Sequence, residues 1–255
     1  MIEALRRPGV RLAILGVAAY LLFLAANLPA AWLGYVLERS SGGALALGDP
    51  SGTVWKGQGA LAVRSGGAFH GVADIGWRCN PLSLLGGRLS LALSGSGPGA
   101  SLRATLSLGV GGVRIQNFEA SAPAALLESA VPAAALVKPD GRVRVRGDSF
   151  EVGPARVLGT ATVEWSDAGM SGVARIGDYR LQITGTGERA SVKLATLRGD
   201  LRVRGEGEWR AGQPQVVLRG EVEATPGRKD LEPLLQLLAG DGPGFSRPFG
   251  WTVTI

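Results

Sequence analysis

Cysteine and histidine are nearly absent from this chain of 255 residues, which contains one of each, Cys79 and His70. A single cysteine excludes an internal disulfide, so burial of apolar side chains and backbone pairing must stabilise the fold. A zinc site needs three or four nitrogen, sulfur or carboxylate ligands, and one histidine with one cysteine supplies too few. A Cys79 nucleophile with His70 as its base would lack a third group to orient the base.

Acidic clusters and catalytic motifs are lacking as well. The aspartates occur singly in predicted turns, whereas calcium sites need closely spaced acidic residues. Segment 95–100, GSGPGA, has the spacing of a dinucleotide-binding loop, but the alternating sequence after it predicts a strand instead of the required helix. Neither a phosphate-binding loop nor a nucleophile elbow occurs. We therefore expect a protein that is not an enzyme and has no cofactor and no metal.

Long charged runs are also missing, although the net charge is +6. The basic residues are spread in ones and twos, without the clustered patch or the motif that nucleic-acid binding requires. The sequence therefore predicts no nucleic-acid partner.

The chain does contain a long apolar run near its N-terminus. Residues 12–36 are almost uncharged and follow Arg6, Arg7 and Arg11. A membrane-crossing helix needs about 20 apolar residues, and positive charges favour the cytoplasmic side. We predict a cytoplasmic N-terminus over 1–11, a transmembrane anchor over 12–36 in the inner membrane, and a periplasmic β-rich domain over 37–255. A cleaved signal peptide is the alternative, because small residues near Ala25 and Ala30 suit a cleavage site.

Beyond residue 36, short segments alternate apolar and polar residues with a period of two. Val143 and Val145 alternate with arginines, and Leu201 and Val203 do the same in a later segment. This pattern predicts strands with one buried face. Short turns between the segments favour antiparallel pairing of neighbours. The predicted fold is mainly β: a long, curved antiparallel meander, folded like a taco or groove, with about two short helices.

The predicted elements can be placed along the sequence. Strands are expected at 53–63, 69–77, 88–93, 101–108, 113–119, 141–146, 155–165, 169–176, 179–186, 190–197, 201–209 and 215–224. Helices are expected at 124–135, where Pro132 ends or kinks the helix, and at 230–239, where leucines share one face and Gly240 provides a stop. We expect this leucine face to pack against the sheet.

Tryptophans, glycines and leucines form the most distinctive motifs of the chain. One stretch reads SGTVWKGQG around Trp55 and Gly57, and another reads WRCNPLSLLGGRLSL from Trp77. An indole can lie over the backbone of a glycine and bury a large apolar area. The leucines after Pro81 are expected to cover the open end of the sheet. Candidate packing or partner-contact residues are Trp55, Gly57, Trp77, Pro81, Leu84 and Trp165.

With the leading anchor and the trailing leucine-rich helix, these stretches resemble type II secretion system protein N, also called general secretion pathway protein N. The resemblance covers nearly the whole chain. It implies an accessory inner-membrane component in Gram-negative bacteria that binds other secretion components of the inner and outer membranes while folded proteins are exported.

Two other functions remain open from the residues alone. A membrane-anchored sheet with an apolar trough suits a periplasmic lipid-binding or lipid-transfer protein, whose candidate groove residues are Val143, Val145, Leu201 and Val203. Membrane lipids are then the second class of expected partner. A carbohydrate-binding module is the third possibility, although the chain has few tyrosines and phenylalanines to form an exposed aromatic row.

Overall fold

A computed structural model describes residues 8–65, 68–130, 138–170, 173–213 and 215–254 of the protein. These residues form thirteen antiparallel strands and four α-helices. The helices are α1 (Pro8–Ala26), α2 (Ala31–Ser40), α3 (Leu127–Ala130) and α4 (Glu232–Ala239). Within these ranges, three 3-10 helices span Pro81–Gly86, Ala124–Leu126 and Lys229–Leu231.

All thirteen strands belong to one sheet, in which each strand pairs with its neighbours in sequence. The strands are β1 (Leu45–Gly52), β2 (Lys56–Ser65), β3 (Ala68–Asn80), β4 (Arg88–Gly97), β5 (Ala100–Gly109), β6 (Gly112–Pro123), β7 (Asp140–Gly153), β8 (Arg156–Met170), β9 (Val173–Gly187), β10 (Arg189–Gly199), β11 (Leu201–Arg210), β12 (Gln215–Ala224) and β13 (Ser246–Thr254). Within the described residues, β1 and β13 each pair with a single strand, so the sheet is open. The predicted antiparallel meander is confirmed.

Three details differ from the sequence prediction. Strands β1 and β13 were not expected, because each contains proline and glycine within a short segment. The two strands predicted at 169–176 and 179–186 form one strand, β9, from Val173 onward, while positions 169–170 are the end of β8. The turn predicted around Asp167 is instead a bulge within β8, where Asp167 has a φ of 49° and its N–H donates to Asp178 Oδ1 at 2.8 Å.

The sheet curves between β2 and β6. Short helix α3 follows β6 in sequence yet contacts β2. Three strands lie between β2 and β6, so in a flat sheet, with about 4.8 Å between neighbouring strands, β2 and β6 would be about 19 Å apart. The contact therefore requires the curvature that the sequence predicted. The remainder of the predicted helix at 124–135 lies outside the described residues from position 131 onward.

The hydrophobic core is concentrated in the C-terminal half of the sheet. Leu231, Leu234 and Leu235 are buried against strands from β8 to β13, which confirms the predicted packing of the leucine face. Leu201 on β11 is also buried, at 1% exposure. In the N-terminal half, the apolar face is mostly half-buried. The apolar face of the sheet thus has two parts: α4 covers the C-terminal part, and the N-terminal part is open.

The N-terminal apolar run forms two helices instead of one. Helix α1 ends at Ala26 and α2 begins at Ala31, because Asn27 caps the last turn of α1 by donating to Phe23 O at 2.8 Å and Pro29 lies in the break. Helix α2 packs against β1. No helix within the described ranges is both long enough and apolar enough to cross a membrane.

Candidate partner-binding surface

One end of the sheet collects most of the motif residues. Because consecutive strands are antiparallel, the loops alternate between the two ends, and turn 53–55, the 3-10 helix Pro81–Gly86 and turn 110–111 fall at the same end. Helix α1 also finishes there. We call this the α1 end of the sheet, and the opposite one the far end.

Trp55 joins α1 to the α1 end of the sheet. Its indole N–H donates to Ala25 O, in the last turn of α1, at 2.7 Å. The backbone strengthens this connection, because Ala30 N donates to Gly52 O at 3.1 Å and Val54 N donates to Leu28 O at 2.9 Å. The position of α1 relative to β1 and β2 is therefore set by a side chain and by backbone pairing together.

Trp77 packs over a glycine on the neighbouring strand. It is 5% exposed and lies directly opposite Gly57 in the β2–β3 register. A Cβ atom at Gly57 would approach Trp77 Cζ2 to 2.4 Å. The indole N–H donates to Thr53 O at 3.0 Å. The expectation of an indole over a glycine backbone is met by Trp77, across the sheet, and not by Trp55 two residues earlier in the same segment.

Pro81 begins the 3-10 helix that connects β3 to β4. The side chain of Asn80 accepts from Leu82 N at 3.1 Å, and Ser83 Oγ donates to Asn80 O at 2.5 Å. Leu84 and Leu85, at 48% and 88% exposure, project from this helix into solvent. The expectation that these leucines cover the open end of the sheet is wrong, because the short helix holds them outside it.

Trp165 lies apart from the other motif residues. It is near the far end of the sheet, where its indole N–H donates to Asp140 O at 2.8 Å and its ring lies 6.0 Å from that of Tyr179. Burial raises the pKa of Tyr179, whose hydroxyl donates to Leu201 O at 2.8 Å. Five of the six candidate motif residues therefore share the α1 end, and Trp165 belongs to the packing around the core.

The four candidate groove residues differ in exposure. Leu201 and Val203, at 1% and 6% exposure, are part of the core beneath α4. Val143 and Val145 are half-buried. Val145 continues a row across the sheet to Ala120 on β6 and Leu102 on β5, both also in register. The open part of the apolar face is thus carried by β7 and earlier strands.

Glu151, Arg114 and Arg156 form a charge cluster at the α1 end that the sequence alone does not predict. Glu151 is 7% exposed and accepts hydrogen bonds from Arg114, at 2.5 Å to Nη2, and from Arg156. The hydrogen bond from Arg114 holds the pKa of Glu151 below its ordinary value, and Arg156 acts in the same direction. The β6–β7 register places Arg114 opposite Glu151, and the β7–β8 hairpin brings Arg156 to the same carboxylate.

His70 and Cys79 lie at opposite ends of β3. Nine residues of strand separate them by about 30 Å, at roughly 3.3 Å per residue, which excludes a nucleophile–base pair within the chain. Burial raises the pKa of the Cys79 thiol, and the Cys79 N–H donates to Trp55 O at 2.6 Å. Among the residues that the structure describes, no three His, Cys, Asp or Glu side chains are grouped to hold a metal ion.

A comparison with known protein families gives a match over most of the sheet. Residues 43–247 match the family described as Type II secretion system (T2SS), protein N. The chain belongs to the type II secretion system protein N family. The matched region starts just before β1 and ends within β13, so the family is defined on the sheet, including Trp55, Trp77 and α4. The comparisons with curated proteins and with solved structures found no match to this chain.

Proposed function

We propose that this protein is an accessory inner-membrane component of the type II secretion system and acts by binding, without catalysis. Its partners are other secretion components of the inner and outer membranes during export of folded proteins across the outer membrane. The observation that carries this proposal is the family match over 43–247, which includes β1 to β12 and the first two residues of β13.

In this proposal, the apolar run over 12–36 is the membrane anchor, with α1 in the bilayer, although α1 alone does not reach the length and hydropathy of a membrane-crossing helix. The N-terminus is cytoplasmic and the sheet is periplasmic. Support comes from the exposed side chains of α1, including Leu15, Leu22 and Phe23 at 67%, 71% and 64%. Such a row is costly in water and stable in hydrocarbon. The arginines that precede α1 in the sequence favour a cytoplasmic N-terminus.

The polar face of the sheet is the partner surface in this proposal. Paired residues form a row that runs from Gln58 on β2, through Arg103, Glu119 and Arg146, to Gln182 on β9. The row combines both charge signs with neutral polar groups. This mixture suits a specific protein contact more than a lipid surface.

Photo-crosslinking in cells tests the proposal. A photoreactive residue at Gln58 or Gln182 is expected to form adducts with inner- or outer-membrane secretion components, identified by mass spectrometry. A strain that lacks the other secretion components is the control, because specific adducts must disappear there. If neither position yields a secretion component in the complete strain, this binding role is contradicted.

A second candidate, lipid binding, is favoured by the half-buried apolar row of Val145, Ala120 and Leu102. Acyl chains could cover this row in the way that α4 covers the C-terminal half. The same crosslinker at Val145 distinguishes the two functions: phospholipid or lipopolysaccharide adducts would support the trough as the working site, and adduct-free Val145 would count against it.

A further inference from the structure

Apolar side chains are exposed on two separate loops at the α1 end of the sheet. Leu82 and Leu85 on the β3–β4 connection are 72% and 88% exposed. Val110, at the tip of the β5–β6 hairpin, is 99% exposed and is flanked by the exposed cross-strand pair Leu108 and Val113. Single exposed apolar residues are ordinary on protein surfaces. Two loops that present them at the same end of a sheet form a surface suited to an apolar environment.

Cations surround these loops. Lys56, Arg78 and Arg88 begin or end strands at the α1 end and are exposed. Lys56 and Arg78 are directly opposite each other in the β2–β3 register. Like charges in this arrangement repel. The ion pairs found within the described ranges involve other residues. An external anion would relieve the repulsion.

The position of α1 indicates which kind of anion lies near these cations. The last turn of α1 is hydrogen-bonded to Trp55, and Trp55 O accepts from Cys79 N, two residues before Pro81. The β3–β4 connection therefore begins close to the point where α1 leaves the sheet, and the β5–β6 hairpin lies two strands further along the same end. If α1 enters the bilayer, this end faces the headgroups, where exposed apolar side chains and cations are both stabilised.

We propose that the α1 end of the sheet rests on the anionic phospholipid surface of the membrane. Leu82, Leu85 and Val110 enter the interface between headgroups and acyl chains. Lys56, Arg78 and Arg88 bind lipid phosphates. This inference rests on the proposed membrane anchorage of α1. It adds a second membrane contact, which holds the sheet upright on the bilayer, whereas α1 alone would leave the orientation of the sheet free.

Lipid-quenching fluorescence on the full chain in nanodiscs tests the proposal. With Cys79→Ala as background, an environment-sensitive dye is attached through Leu85→Cys, and quenching by doxyl-labelled lipid is measured. Leu197→Cys is the matched control, because Leu197 is an exposed leucine, 49%, near the far end of β10. We expect quenching at Leu85→Cys to exceed that at Leu197→Cys several-fold. Equal quenching at the two positions would overturn the proposal.

A charge series tests the phosphate contacts. Nanodiscs of phosphatidylcholine alone are compared with nanodiscs containing 30% phosphatidylglycerol. We expect the anionic lipid to increase quenching at Leu85→Cys, and Lys56→Gln, Arg78→Gln and Arg88→Gln together to abolish that increase. The matched triple variant Lys193→Gln, Arg202→Gln and Arg204→Gln removes exposed cations from β10 and β11 and is expected to retain it. The same loss in both triple variants would contradict a specific role of the first three cations.

A dye at Leu22→Cys separates this inference from the anchorage on which it depends. Quenching at Leu22→Cys without quenching at Leu85→Cys would leave α1 as an anchor and refute the contact of the sheet with the membrane. Absence of quenching at both positions would refute the anchorage and, with it, the further proposal. Protein crosslinks at Leu85 in place of lipid quenching would make this end a protein interface and would also overturn the inference.

Discussion

The unequal covering of the apolar face makes a quantitative prediction about core truncations. Leu235 on α4 is 0% exposed and belongs to the continuous core, whereas Leu102 on β5 lies on the half-buried row. Truncating a fully buried leucine to alanine costs the transfer free energy of the lost methyl groups plus a cavity term, about 3–5 kcal/mol. At a half-buried position, water fills the space and about half the area is already exposed, so the expected cost is about 1 kcal/mol.

Thermal unfolding of the purified full-length protein in detergent, followed by circular dichroism, measures this difference. For a domain of this size, each kcal/mol lowers Tm by about 2–4 °C. Leu235→Ala is therefore expected to lower Tm by about 6–20 °C, and Leu102→Ala by about 2–4 °C.

Leu237→Ala is the control for effects on α4 itself. Leu237 is 55% exposed on the same helix, so its truncation removes helix surface without opening the core. We expect a change in Tm of less than about 2 °C, because surface substitutions usually alter stability within about 0.5 kcal/mol. The reasoning would be refuted if Leu102→Ala and Leu235→Ala lowered Tm equally, since the N-terminal half of the apolar face would then be as well sealed as the C-terminal half.

Two further predictions concern the α1 end. Gly57→Ala places a Cβ atom against Trp77 Cζ2 and is expected to cost about 1–3 kcal/mol in denaturant unfolding, whereas Gly71→Ala enters open space and should be neutral or slightly stabilising; equal effects would contradict the packing of Trp77 over Gly57. Glu151 has a lowered pKa in the folded protein, so its interaction with Arg114 stabilises the fold above the unfolded pKa and this contribution is lost as pH falls through the folded value. Glu151→Gln should therefore cost about 1–2 kcal/mol at pH 7 and progressively less below about pH 4, and a pH-independent difference from wild type would contradict this assignment.

The secondary structure could be predicted largely from local spacing. Alternation of Val143 and Val145 with arginines predicts a strand wherever one face is buried, and the leucine spacing around Leu234 and Leu235 predicts a helix with one packed face. Both patterns reflect the chain's own geometry, a period of two for a strand and 3.6 for a helix. Strands β1 and β13 were missed because their prolines and glycines remove this signal, and pairing with β2 and β12 overrides the local preference.

The candidate site required information that local spacing does not contain. Trp55 and Trp77 were recognised as distinctive residues, but which one covers Gly57 depends on the β2–β3 register. Glu151 and Arg114 are 37 positions apart and meet only because β6 and β7 pair. The groove residues look alike in sequence, and their different exposure depends on where α4 packs.

By itself, the sequence determined the fold class, the antiparallel order of neighbouring strands and the packed leucine face of α4, because each depends on residues close together along the chain. It also determined the family, through the order of such segments over residues 43–247. Only the tertiary structure decided which side chains share an end of the sheet, which apolar residues α4 seals and which remain open. Those properties depend on register and curvature, which place residues far apart in sequence side by side. The apolar loops and cations at the α1 end of the sheet are the clearest product of that arrangement.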